Sequence, residues 1–385
     1  GHREFDPARG REIRCHERSP GIRVPIKELP YVLIRSRSHA PIVRGCERVS
    51  PMREAILLVG GQGTRLRPLT INTPKPMLPV AGVPFTVPQI LRARDAGITR
   101  IVLATSYRAD VFASFIADAD LGIDVVIATE EVPLGTGGAI RFASSFLEGG
   151  PQDPVVIFNG DVLTGLDIDA LVNTHQDSAA DVTLYLTQVA DPRAYGLVPT
   201  SPEGRVLQFL EKPQTPEEIV TDQINAGCYV FTRSVIEAIP EGRPVSVERE
   251  IFPELLAAGR TVMGVVDPGY WLDLGQPMDF VRGSVDLVVG NAPSPAVVNP
   301  GGSLVLAEAV IDATARVDGG TTIGVGSRIG ANSQINASVV FDSAVIGSDV
   351  TITNSIIGEG SVIGDSCVIS DSVVGDFAQV GAGNE

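Results

Sequence analysis

The chain has 385 residues, 44% of them hydrophobic, and carries 46 acidic against 30 basic side chains for a formal net charge of -16. Such an acidic chain with no apolar run near membrane-spanning length is expected to serve neither nucleic acid nor membrane, and its length predicts two domains. Its four cysteines (Cys15, Cys46, Cys228, Cys367) show no Cys-x-x-Cys spacing, which argues against a disulfide framework and a zinc site and fits a reducing cytoplasm.

Residues 1–51 differ from the rest, with eleven Arg or Lys against six acids and three of the four histidines. Glu4, Asp6, Glu12, Glu17, Glu28 and Glu47 are too many acids for a transit peptide, and no apolar core of a signal peptide is present. The segment reads as an appended stretch with no fold of its own, the natural start being Met52.

From Met52 short β-branched runs alternate with amphipathic stretches, the pattern of an α/β domain whose sheet carries helices on both faces. The first strand, Ala55–Val59, runs into Gly60-Gly61-Gln-Gly63-Thr64-Arg65-Leu-Arg67, and Lys75-Pro-Met77 follows at short range. Glycines let the backbone approach phosphate oxygens, and Arg65, Arg67 and Lys75 add positive charge; no Asp or Glu occurs from Ala55 through Arg94. The loop is neither a P-loop, since no Gly-Lys-Ser/Thr follows, nor a dinucleotide fingerprint, since Leu66 stands where its third glycine would be.

Further strands are expected at 100–104, 125–128, 155–158, 182–187, 206–210, 228–231 and 262–266. Ligands in open α/β sheets gather beyond the carboxyl ends of strands, so the residues after these runs draw attention. Those are Glu130-Glu131 with Gly135 to Gly138, Asn159-Gly160-Asp161, Glu211-Lys212-Pro213 and, after 262–266, Trp271-Leu-Asp273. A cation bridging triphosphate oxygens takes one or two protein carboxylates, which Asp161 and Asp273 supply. His175, the last histidine, reads as a lone solvated side chain.

Past Val289 a Pro- and Gly-rich linker, residues 290–303, leads to a repeat over 304–385. Ile311, Val317, Ile323, Ile329, Ile335 and Phe341 fall six residues apart, and the series continues with slips through Ile346, Ile352, Ile357, Ile363, Ile369, Val374 and Val380. This is the mark of a left-handed parallel β-helix, read here as a stacking and assembly module. It contains no histidine that could serve an acyltransferase. It ends without a capping element, so a truncated end or a covering partner subunit is expected.

The stretch from Gly60 to Met77, with Pro-Lys-Pro-Met intact, resembles the signature of the sugar-1-phosphate nucleotidylyltransferases. Phe-Asn-Gly-Asp161, Trp-Leu-Asp273-Leu-Gly and Glu211-Lys212-Pro213 match further motifs of that family. Stretches such as Val-Ser-Val-Glu-Arg-Glu look like its actinobacterial branch that makes GDP-mannose. The resemblance implies a Rossmann-like nucleotidyltransferase domain over 52–289 and a magnesium ion, Mg²⁺, on Asp161 and Asp273. It implies nucleotide contacts from Gly60, Gly61, Gly63, Thr64 and Gly135, with Arg65 and Lys75 on the departing pyrophosphate. It places the sugar phosphate on Lys212, with Gly196, Glu211 and Asn225 around the sugar.

In the family the stretch after strand 125–128 meets the nucleobase. Guanine presents two adjacent donors that one carboxylate can accept together, which makes Glu130 the candidate acceptor. The implied reaction joins GTP and mannose 1-phosphate, in a homo-oligomer. Two alternatives stay open: a glucose-1-phosphate enzyme using dTTP, UTP or ATP, and a catalytically silent subunit that senses nucleotide sugars.

Overall fold

The computed structural model describes residues 53–297, Tyr107 apart, and 300–385; the segment read as appended lies outside the described residues. Chain order gives β1 (Glu54–Leu58), β2 (Pro79–Val80), β3 (Val83–Pro84), α1 (Thr86–Asp95), β4 (Arg100–Thr105), α2 (Ala109–Asp118), β5 (Asp124–Thr129), α3 (Gly135–Ala143), β6 (Pro154–Asn159) and β7 (Val162–Thr164). It continues with α4 (Ile168–Asp177), β8 (Val182–Gln188), β9 (Gly196–Leu197), β10 (Leu210–Glu211), β11 (Gln223–Thr232), α5 (Arg233–Glu237), α6 (Phe252–Ala257), β12 (Val262–Val266), β13 (Trp271–Asp273) and α7 (Pro277–Val289).

Nine of these strands form one mixed sheet. β1 lies between β4 and β6, all parallel, with β5 beyond β4. β11 runs antiparallel to β6 and β8, and β12 lies parallel to β8. Parallel strands must be covered on both faces, which explains their near-continuous apolar runs. Alternate residues therefore enter two cores. Ile56, Val102 and Ile157 pack with Ile140 of α3 and Phe252 of α6, while Leu57, Leu103 and Val156 pack with Leu91 of α1, Phe112 of α2 and Leu171 of α4.

Two expectations are corrected. The run 206–210 is not a strand along its length: Val206 makes a single bridge to Thr200, and only Leu210–Glu211 pairs, with β9. A turn closed by Ser201 N donating to Arg205 O precedes it, and Leu207 is exposed, so Val206 and Phe209 anchor singly at the sheet edge. His175 is buried rather than solvated. Its Nδ1 lies 3.0 Å from Thr183 Oγ1 and its Nε2 3.1 Å from Thr232 Oγ1, and burial holds its pKa down to about 4.

From Ser303 onward, fourteen short strands stack in three parallel sheets of five, five and four, the arrangement of a left-handed β-helix. Ile311 pairs with Ile329, a coil of 18 residues, but Ile329 pairs with Ile346 and Ile346 with Ile363, coils of 17. The slips in the repeat therefore have one cause: the side from Ile335 to Val340, repeated at Ile352 to Ile357 and Ile369 to Val374, is one residue short. Ala337, Asn354 and Asp371 turn that corner at φ of 44°, 46° and 48°. The inward position is consequently Val340, not Phe341. Phe341 points out of the coil and packs edge-on against Phe280 of α7, with ring centroids 6.3 Å apart.

Candidate active site

The glycine-rich loop leaves the buried end of β1 and returns through three short 3-10 turns at Thr64–Leu66, Leu69–Ile71 and Lys75–Met77. Its glycines do different work. Gly63 sits at φ 58°, and an added Cβ would lie 2.8 Å from Lys75 Cβ, so this position brings the start of the loop against the lysine stem. Gly61 has nothing within 4 Å of such a Cβ, which leaves its backbone open on the cleft side. Arg65 and Thr64 are exposed, and the Arg65 guanidinium lies flat over Gly275, where a Cβ would meet it at 2.8 Å.

Lys75 is only 8% exposed, and its Nζ lies 2.9 Å from Asp161 Oδ2. Asp161 follows β6, and β7 pairs antiparallel with β13 so that Asp273 stands opposite Val162 while Leu274 N donates to Asp161 O at 2.9 Å. The small β7–β13 sheet was not foreseen, and it brings together two carboxylates 112 positions apart in sequence. Burial and the neighbouring Asp161 push the Asp273 carboxyl above its ordinary range, against the pull of Lys75 and Arg65. Asp273 Oδ1 is buried with no hydrogen-bond partner, an acceptor that suits a cation. Among the described residues no three or more His, Cys, Asp or Glu converge, so a divalent ion here would complete its shell with phosphate and water.

A cavity of about 330 Å³ extends from this corner between the ends of β1, β4, β5 and β6. Gly60, Gly61, Lys75 and Asp161 line one end, and Glu130, Gly135 and Thr136 the other. Glu130 is 7% exposed; its Oε2 accepts from Leu134 N at 3.1 Å, and its Oε1 is buried and unpartnered. Burial raises its pKa. Gly135, at φ 71°, packs against Val245 O, which also accepts from Gly137 N at 2.8 Å. The first turn of α3 thus spends part of its donor capacity on the protein, and Gly135 shapes the wall of the cavity.

The residues assigned to the sugar phosphate gather in a second cluster beyond that cavity. Glu211 pairs with Gly196 across β9–β10, where a Cβ on Gly196 would lie 2.9 Å from Glu211 Oε2. Lys212 adopts φ 51°, its Nζ 3.8 Å from Glu211 Oε1 and largely exposed. Burial raises the Glu211 pKa, with Glu248 adding repulsion and Lys212 opposing. Asn225 opens a bulge in β11, its Oδ1 accepting from Gly227 N at 3.2 Å and its Nδ2 donating to Tyr229 at 2.8 Å.

Gly227 packs on the Asn159 side chain, which lines the cavity, so the clusters meet there. Trp271 reinforces the junction: its Nε1 donates to Ala226 O at 2.9 Å, and its ring meets Tyr195 edge-on at 5.4 Å. Ser106 and Glu248 are given no role by the sequence, and Asn159 and Thr136 stand there only as neighbours of Asp161 and Gly135. Thr136 Oγ1 donates to Glu248 Oε2 at 2.8 Å, a contact between elements over a hundred residues apart that no local pattern announces.

Residues 54–288 match the nucleotidyl transferase family, and residues 300–383 match the GMPPB C-terminal domain. The chain is 54% identical over 246 residues to the mannose-1-phosphate guanylyltransferase of Mycobacterium tuberculosis, a match spanning 63% of this chain and 67% of that protein. It is 40% identical to the mannose-1-phosphate guanylyltransferase catalytic subunit beta of Drosophila pseudoobscura pseudoobscura, over 60% of this chain and 61% of that protein. Among solved structures, HddC from Yersinia pseudotuberculosis complexed with GMP-PN superposes with a TM-score of 0.52 at 30% identity, covering 60% of this chain and 98% of its own. The glycine-rich loop, the lysine and both aspartates all lie inside the matched stretch, and the chain belongs to the nucleotidyl transferase family.

Proposed function

We propose that the chain transfers the guanylyl group of GTP to mannose 1-phosphate, releasing pyrophosphate and giving GDP-mannose. The observation that carries this reading is the corner where Lys75, Asp161 and Asp273 meet at one end of a cavity whose other end holds the unpartnered Glu130 Oε1. A cation-and-carboxylate corner suits the triphosphate, and a buried carboxylate with a free oxygen suits the paired donors of guanine. Identity to mannose-1-phosphate guanylyltransferases, up to 54%, supports the sugar and the base together.

The attacking sugar phosphate is already an anion at neutral pH, so no general base is needed. A phosphate oxygen forms a bond to the α-phosphorus while the bond to the β-phosphate oxygen breaks, and the electron pair leaves with pyrophosphate. Catalysis then rests on position and charge. Lys212 holds the incoming phosphate, Glu211 and Asn225 accept and donate to the sugar hydroxyls beside Gly196, and Arg65 and Lys75 face the departing pyrophosphate. Gly60, Gly61, Gly63 and Thr64 give backbone and hydroxyl contacts to the triphosphate. Enzymes of this family generally use a divalent metal; Mg²⁺ held by Asp161 and Asp273 would neutralise phosphate oxygens when bound.

No described helix is long and apolar enough to cross a membrane, and a cytoplasmic homo-oligomer built through the β-helix belongs to the same reading. The test is pyrophosphate release measured with each pairing of GTP, ATP, UTP or dTTP with mannose or glucose 1-phosphate. GTP with mannose 1-phosphate is expected to exceed every other pair, and a preference for another pair would overturn the assignment.

A further inference from the structure

Resting on that reading of residues 60–77 as the triphosphate loop, we propose that the β-helix positions the loop, with Gly375 and Asp376 as positioning residues for nucleotide binding. The loop has little rigidity of its own. Its backbone-to-backbone bonds are local, such as Leu66 N to Gly63 O, Ile71 N to Pro68 O and Leu78 N to Lys75 O, and side chains of the α/β unit tie it near its two ends, where Ser106 Oγ donates to Gly60 O at 3.0 Å and Thr86 Oγ1 to Pro76 O at 2.6 Å. Segments built this way take their order from what they pack against.

The underside of this loop packs on the β-helix. Leu66, Leu69 and Leu78, each at most 1% exposed, share one apolar cluster with Val339, Phe341 and Ile356 of the coils. Two further contacts reach the loop's tip. A Cβ on Gly375 would lie 3.0 Å from Pro68 Cγ, so the coil backbone touches the proline three residues after Arg65. The Asn72 side chain lies beside the Asp376 carboxylate and opposes the upward push of burial on its pKa, and Asn72 O accepts from Arg108 Nη1 at 2.9 Å, which ties the tip to the start of α2 as well. Thr73 and Pro79 face Asp342, Glu359 and Asp376 across a cavity of about 50 Å³.

Arg65 and Lys75 both hang from this segment. Since displacement of a binding group by an ångström costs much of its effect, the coil that sets Pro68 and Asn72 also sets how well the two cations meet a triphosphate. The β-helix thereby acts within the catalytic unit, beyond the stacking role its repeat suggests.

The test uses the full chain and four variants: Gly375→Leu, Asn72→Ala, Asp376→Ala and the Asn72→Ala/Asp376→Ala double. GTP affinity is read by calorimetry in the presence of Mg²⁺, KM by steady-state rates, and folding by melting temperature. Each single variant is expected to weaken GTP binding fivefold or more, leave the KM for mannose 1-phosphate unchanged and melt within a degree or two of wild type. The double is expected to match the Asn72→Ala single, because the two side chains act as one contact.

Unchanged GTP affinity overturns the proposal, whether or not the melting temperature falls, and so does an additive double variant. Should Gly375→Leu fail to fold, the Asn72 and Asp376 variants decide. A wild type that binds GTP yet makes no GDP-mannose overturns the reaction alone, and the affinities still judge the loop. A wild type that binds no nucleoside triphosphate overturns both.

Discussion

The α/β unit and the β-helix treat buried polar groups in opposite ways. In the coils each buried serine is satisfied by the rungs around it: Ser327 Oγ donates to Phe341 O at 2.9 Å and accepts from Ala344 N at 3.1 Å, and Ser333 does the same with Gly347 O and Val350 N. In the α/β unit Glu130 Oε1 and Asp273 Oδ1 are buried without a partner, and both sit where the proposed substrates lie. Leaving a buried acceptor unpaired costs about 1–3 kcal/mol, so a fold retains one where a ligand completes it. Gln89 Oε1, Arg100 Nε, Arg141 Nε and Asn159 Oδ1 of the α/β unit are unpartnered too, so it is the unpaired carboxylate oxygens, rather than unsatisfied burial as such, that single out the proposed site.

The largest effect that would break this contrast is at the aspartates. Asp161→Asn and Asp273→Asn are each expected to lower kcat by roughly 100-fold or more, the scale seen when one charge-stabilising group is removed, with melting temperature unchanged or raised. A variant keeping most of its turnover would remove that carboxylate from the chemistry.

His175 sharpens the contrast inside the α/β unit, because it is buried and fully bonded and has no place in the mechanism. Its folded pKa of about 4 lies below the ordinary 6.5, so the unfolded chain binds the proton first. Stability is therefore whole above pH 6.5 and is lost as pH falls toward 4, by up to about 3 kcal/mol for this residue. Denaturant unfolding of wild type and His175→Gln across pH 4 to 7 checks this; equal pH slopes would refute it.

In the coils, Ser333→Val strands Val350 N and is expected to cost about 1–3 kcal/mol in denaturant unfolding with kcat per folded molecule unchanged. A loss of kcat in that variant would show that the rung reaches the site. The smallest effect is expected at Cys367, whose Sγ donates to Gly381 O at 3.0 Å with the same 14-residue reach as Ser333 to Gly347. Cys367→Ser should change stability by less than about 1 kcal/mol, within the range of a single net hydrogen bond, and a larger loss would mean that the coil reads size there rather than bonding.

Much of this protein is written in local pattern. The apolar runs of β1, β4 and β6 announce a buried parallel sheet, the six-residue spacing announces the coils, and the loop from Gly60 to Met77 names its own chemistry because glycines and cations must be adjacent to cradle phosphates. Periodicity could not place the shortened corner at Ala337, Asn354 and Asp371, because a residue in the left-handed region leaves no apolar mark; Phe341 continues the six-residue series yet packs outside the coil for that reason.

Contacts across the chain lay further out of reach. The β7–β13 pairing that sets Asp273 beside Asp161, the burial of His175 between two threonines, and the seat of the glycine-rich loop on Gly375 and Asp376 all join residues far apart in sequence. Spacing along a chain specifies which face a side chain takes within its own element. Which distant element that face then meets follows from how the elements pack, since burial free energy rewards any apolar match and the chosen one depends on the whole topology.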